Sequence, residues 1–290
     1  MKRAAVISGI LSFVVWAAAL TFGQAGQAPA AGQTTTPAAG AAQPAVKRPP
    51  QAKTQPEFDA WKAAQANTDP ASLEKAADDF ATKFPDSELR ILLYKNAMRM
   101  YQKANNAEKT EAMGRKVLSI DGDDPEALTT VAEVIAERTR DSDIDKDQRF
   151  DEGVKMAQKA LQTIDTDVSV PPGTPQDKLD AYKSGLRSQA YSTMGAIEYN
   201  RDHFAAAETN FQKAIDAYPS EPYALDVLRL ALSMDKQGKY AEALKVANRA
   251  VDMTQDNTPI GTPARHERDR LVQLTGGTAP APNPSQPPKN

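Results

Sequence analysis

From about Pro56 to Leu274 the apolar residues recur at intervals of three and four, the period of a helix with one buried face, and not at the interval of two that a half-buried strand requires. Runs of Val, Ile and Thr are missing. Asp/Asn and Pro punctuate this pattern at Asp69-Pro70, Phe84-Pro85-Asp86, Asp123-Asp124-Pro125, Thr174-Pro175 and Tyr218-Pro219. Proline suits the first helical turn, where its missing N–H would have no partner in any case. Thr174-Pro175-Gln176-Asp177 predicts a complete start: Thr174 as cap, Pro175 in the first helical slot, Asp177 as the reciprocal acid. The pattern predicts an all-α chain of helix hairpins.

The clearest unit is YSTMGAIEYNRDHFAAAETNFQKAIDAYP, residues 191–219. Small residues at Gly195, Ala207 and Ala214 let two helix axes approach, and Tyr191, Met194, Phe204 and Phe211 fill the space beside them. This unit resembles the tetratricopeptide repeat, a helix–turn–helix of about 34 residues with small and aromatic residues at these spacings. Glu198 departs from the family pattern, and Tyr199 stands beside it. The next unit follows with Val227, Leu230, Ala231 and Met234, a turn at Gly238-Lys239-Tyr240, then Ala243, Ala247 and Ala250. More worn copies begin at Tyr94 and at Leu128, residues 57–84 open the series, and 264–274 close it. The resemblance implies a right-handed α-solenoid over residues 56–274. Asp165 to Gly173 interrupts the series; it either bends the stack or folds over its groove.

The two ends read differently. Residues 1–25 have a short basic head at Lys2 and Arg3, an apolar run from Ala4 to Leu20, and small residues at Gly23 and Ala25. This is the build of an export signal or of an uncleaved N-terminal anchor, and it predicts a periplasmic or secreted protein, attached to the inner membrane if the anchor stays. Residues 26–55 are rich in Ala, Pro and Gln and predict a disordered linker, with Lys47, Arg48 and Lys53 as a solvated basic patch. The Pro-rich tail 275–290 reads likewise.

Residues 138–153, RTRDSDIDKDQRFDEG, place Asp141, Asp143, Asp145 and Glu152 at calcium-loop spacing. Lys146 stands where such a loop needs glycine. The preferred reading is a long polar connection within a hairpin, with Arg138 and Arg140 at one helix C-terminus and Asp143, Asp145 and Asp147 near the next N-terminus, and no metal.

The 290 residues carry a formal charge of −3, no cysteine and two histidines. That excludes disulfides and thiol chemistry, and argues against a nucleic-acid binder. No Ser/His/Asp set or phosphate loop stands out, so the chain is expected not to be an enzyme and to need no cofactor. The family resemblance implies a groove lined by the first helix of each pair. Its residues would be Lys95, Arg99, Gln102 and Lys103, then Thr129, Glu133 and Glu137, then Gln189, Ser192, Ala196, Tyr199 and Asn200, then Leu225, Leu228, Leu232 and Asp235. The expected ligand is a protein or peptide segment. The expected role is a scaffold or adaptor of the bacterial cell envelope, with a self-assembling spacer, hence a homo-oligomer, or a weak calcium-modulated binding module as the alternatives; membrane contact is expected only through the N-terminal segment.

Overall fold

The computed structural model describes residues 47–171 and 173–276, so the expected signal or anchor and the Pro-rich tail lie outside the described residues. Eleven helices follow one another among the described residues, with no strand. They are α1 (Gln55–Gln65), α2 (Pro70–Lys83), α3 (Arg90–Lys103), α4 (Ala107–Ile120), α5 (Pro125–Arg138), α6 (Lys146–Asp167), α7 (Gln176–Asn200), α8 (Phe204–Ala217), α9 (Ala224–Asp235), α10 (Tyr240–Asp252) and α11 (Gly261–Thr275). Each helix packs on the next in sequence, which makes five hairpins and a closing helix. This is the all-α solenoid expected from the repeat pattern.

Local chemistry sets the helix ends. Asp69 and Asp124 accept from the N–H groups of Ser72 and Ala127 at 2.8 and 2.9 Å, each just ahead of a proline in the first turn. Thr54 and Asn106 cap α1 and α4 in the same way. The tight turns share one device. Asn105, Asp202 and Gly238 have φ of +56°, +60° and +76°, and each stands two residues ahead of the second helix of its hairpin. Asn, Asp and Gly tolerate this left-handed conformation best.

Thr174 does not cap α7. The helix starts at Gln176, and the Thr174 hydroxyl donates to Pro171 O at 2.6 Å. The segment before α7 is anchored by packing. Val168 is buried with Ile164 and Leu186, and Val170, Leu179 and Tyr182 close over them. Residues 47–54 also depart from the solvated linker expected of 26–55: they lie against the helices, held by ionic contacts.

Close approach within and between the hairpins rests on small residues. Ala207, Ala214, Ala243, Ala247 and Ala250 have no exposed surface. A Cβ on Gly195 would sit 2.8 Å from the Phe211 ring, and one on Gly114 would sit 2.5 Å from Val131 Cγ2. Neither neighbour can withdraw, because Phe211 and Val131 are fully buried.

Curvature follows from which helices meet. Odd-numbered helices touch their odd neighbours at α1–α3, α5–α7, α7–α9 and α9–α11, whereas the even ones stand apart. Long cations span the wider outer spaces, as in Lys116 to Asp78 and Arg115 to Glu152. The odd helices therefore form the inner wall.

Gly195→Ala should lower the unfolding free energy by about 1–3 kcal/mol by overpacking against Phe211. Gly122→Ala, whose Cβ would meet nothing nearer than 3.7 Å, should change it by less than about 0.5 kcal/mol. Urea denaturation of the two variants checks both.

Candidate functional site

The inner wall is crossed by side chains that join one odd helix to the next. Glu126, in the first turn of α5, is the most heavily bonded. Arg99 from α3 donates Nε to Oε1 at 2.5 Å and Nη2 to Oε2 at 2.6 Å. Lys95 Nζ stands 2.9 Å from Oε2, and the Tyr182 hydroxyl from α7 donates to the same oxygen at 2.9 Å. Lys95 also donates to Asp124 Oδ2 at 2.7 Å, while Asp124 Oδ1 caps α5. Two cations thus meet two carboxylates, with a phenol completing the set.

Electrostatics follow from that geometry. Burial alone would raise the Glu126 carboxyl, but Arg99 and then Lys95 outweigh it and hold the group well below the carboxylate range. Burial would lower the Lys95 ammonium, and Glu126 with Asp124 raises it overall. Burial pushes the Tyr182 phenol up, and Glu126 adds to that. Arg99 is raised chiefly by Glu126. Its guanidinium differs from Lys95 in exposure: 52% of the Arg99 side chain is accessible against 13% for Lys95. Protein surrounds Arg99 on most sides, yet one face reaches water.

Further along the wall the contacts become lighter. Gln189 Nε2 on α7 donates to Glu133 Oε2 on α5 at 2.7 Å. Ser192 Oγ on α7 donates to Asp226 Oδ1 on α9 at 2.5 Å. Arg270 on α11 pairs with Asp235 on α9 and with Glu267. Asp226 is almost fully buried, and desolvation pushes its carboxyl up to about 6 although Ser192 and Arg229 favour the anion. Glu137 reaches the surface on α5, and its carboxyl is pushed up to about 7 by partial desolvation and by Glu133.

The expected groove therefore divides. Lys95, Arg99, Glu133, Gln189 and Ser192 do lie on the odd helices, but they bond to neighbouring helices. Thr129 is fully buried, and its hydroxyl returns to Pro125 O and Glu126 O. Leu228 is a core residue, and Leu232 is half-buried against the same apolar cluster. Gln102, Glu137, Tyr199 and Asn200 keep surface facing solvent. Sequence reading missed Asp124, Glu126, Tyr182, Asp226 and Arg270. Their signal was opposite charge or polar complementarity one repeat apart, for example the offsets of 27 from Arg99 to Glu126 and 34 from Ser192 to Asp226.

The calcium-like residues do not converge. Glu152 pairs with Arg115 at 2.8 Å, Asp143 accepts from Arg140 N at 2.9 Å, and Asp141 stands 3.9 Å from Lys146. Asp145 occupies the α6 cap position without a side-chain cap bond, so the capping expected of it is not made. Among the described residues no group of three or more His, Asp or Glu side chains is placed to hold a metal. His203 precedes α8 and lies 2.7 Å from Glu198 Oε2.

Glu126→Gln should cost about 3 kcal/mol, the low end of the range for breaking a buried pair, because Arg99 keeps one face in water. Asp226 gives a pH test. Its folded value lies above that of an unfolded Asp, so the fold gains from it below pH ~4 and loses that gain as pH rises to ~6. The stability of Asp226→Asn relative to the parent should therefore rise across that window by on the order of 2 kcal/mol and then level off. Urea titrations at several pH values measure the difference.

No protein-family model matches the chain, and no curated protein is similar to it. Among solved structures it is similar to the MamA protein, at 13% identity over 78% of this chain and 96% of that one, with a TM-score of 0.47. PilW, described as a widely conserved type IV pilus biogenesis factor, matches at 18% identity over 77% of this chain and 94% of its own, also with a TM-score of 0.47. TTC0263, a thermophilic TPR protein of Thermus thermophilus, matches at 11% identity over 76% and 98%, with a TM-score of 0.44.

Proposed function

We propose that the protein is a non-enzymatic scaffold of the bacterial cell envelope that holds an extended segment of a partner protein along its inner wall. The observation that carries this reading is what the wall leaves free after its own helices are cross-bonded. Gln102 and Lys103 on α3, Glu137 on α5, Tyr199 and Asn200 on α7 and Leu232 on α9 lie on successive odd helices and keep surface toward solvent. The series runs from cationic through acidic to polar and apolar. An extended peptide meets such a row one helix at a time, and a rigid wall lowers the ordering cost of capture to that of the peptide alone.

The envelope assignment rests on the basic head and apolar run of residues 1–25. Among the described residues no helix is long and apolar enough to cross a membrane. Recognition by cross-bonded side chains would require breaking buried pairs first, so the free residues are the contact set.

Crosslinking in the native envelope, followed by identification of the captured protein and mapping of the linked residues, tests the proposal. Links should fall on α3, α5, α7 and α9. The double variant Glu137→Lys/Asn200→Glu should reduce capture about tenfold or more with unchanged helical circular dichroism. Links confined to the even helices would overturn the reading. In light scattering the purified chain should be a monomer; an oligomer growing with concentration would favour the self-assembling spacer.

A further inference from the structure

Residues 47–53 are the unexpected element of the fold. Lys47 N donates to Thr166 O at 3.0 Å, near the C-terminal end of α6. Its ammonium reaches Asp121 Oδ2 at 2.5 Å and Asp167 Oδ1 at 3.3 Å. Arg48 makes a two-pronged contact with Glu88, at 2.8 Å to Oε2 and 2.5 Å to Oε1. Gln51 N donates to the same carboxylate at 3.3 Å, and Lys53 Nζ donates to Asp86 O at 2.9 Å. Ala52 packs on the first apolar core. Seven residues thus span three places: 84–89 between α2 and α3, 121–124 between α4 and α5, and 165–168 at the C-terminal end of α6.

These contacts are unlike the others in the stack. In a solenoid each repeat touches only its neighbours. Here one short segment bonds to hairpins one, two and three together. The segment is suited to it. Pro49 and Pro50 hold the backbone extended and reduce the entropy lost on docking. The acceptors are suited as well. The junction 121–124 carries three aspartates, and each is taken by a cation from a different element: Asp121 by Lys47, Asp123 by Lys159, Asp124 by Lys95. Removing Lys47 leaves Asp121 and Asp167 without that cation.

We propose that residues 47–53 are an electrostatic clasp, docked on the acidic edge formed by Glu88, Asp121 and Asp167, that makes the first three hairpins move as one body. The edge is a docking surface, and its occupant is this chain's own basic segment. Lys47, the first described residue, sits at the α6 corner beside the third hairpin.

The contacts are partly exposed ion pairs, so they are weak singly and sensitive to salt. Hydrogen exchange read by mass spectrometry on the full chain tests the clasp. At low salt, Lys47→Ala/Arg48→Ala should accelerate exchange of amides in 85–89, 121–124 and 165–168 about 3- to 10-fold, with α9 to α11 unchanged. Raising NaCl to about 0.5 M should accelerate the same amides in the parent and add little in the variant. The charge-conserving Lys47→Arg/Arg48→Lys should keep most of the protection. Unchanged exchange at the three places, or equal acceleration throughout the stack, would overturn the proposal. Loss of protection in the charge-conserving variant equal to that of the alanine variant would also overturn it, since it would assign the effect to packing.

Discussion

One carboxylate holds the middle of this stack in register. Glu126 sits on α5 and draws Lys95 and Arg99 from α3 and Tyr182 from α7. The helices α3 and α5 approach each other less closely than the other odd pairs, so the space between them is bridged by long side chains instead of apolar contact. An ionised carboxylate in a partly dry wall is stable only if its oxygens are filled. Here three donors fill them, and two are cations. The charge balance of the set explains how its carboxylates can be buried together as anions.

The hairpins themselves depend on a different constraint, the approach of axes. Gly195 against Phe211 and Gly114 against Val131 show how little room exists. Packing of small residues against large ones fixes the distance between axes both within a hairpin, as at Gly195 and Phe211, and between hairpins, as at Gly114 on α4 and Val131 on α5. Charged and amide groups bridge the odd helices along the wall. Loop composition then has limited freedom. Three tight turns use a left-handed Asn, Asp or Gly, and the α5–α6 connection, the longest within a hairpin, leaves Ile144 fully exposed.

What could be read in the sequence was whatever repeats along the chain. Helix existence, hairpin pairing and the Asp-Pro starts at Asp69 and Asp124 all leave a periodic or local trace. The candidate wall was legible in its location and not in its chemistry. Lys95, Arg99, Gln189 and Ser192 were placed on the right helices, but their partners lie 27 to 56 residues away. Those offsets are irregular because the long α5–α6 loop and the extended α7 shift the count. Thr129 and Leu228 belonged to the helix but to its buried side, a difference of one residue in angular position. The clasp at Lys47 and Arg48 showed only as a basic patch, with nothing to say what it meets. Isolated cations with prolines have no period, so composition equates them with solvated linker even when acceptors await them elsewhere in the fold.

The cross-helix bridges have a mechanical meaning. They lie on the inner curve, so flattening the arc stretches them while tightening it does not. The stack should resist straightening more than coiling. A pull on its two ends would load the rungs in unequal measure. The lone hydroxyl contact of Ser192 with Asp226, between α7 and α9, would yield before the Glu126 assembly, so such a spring softens first in its C-terminal half.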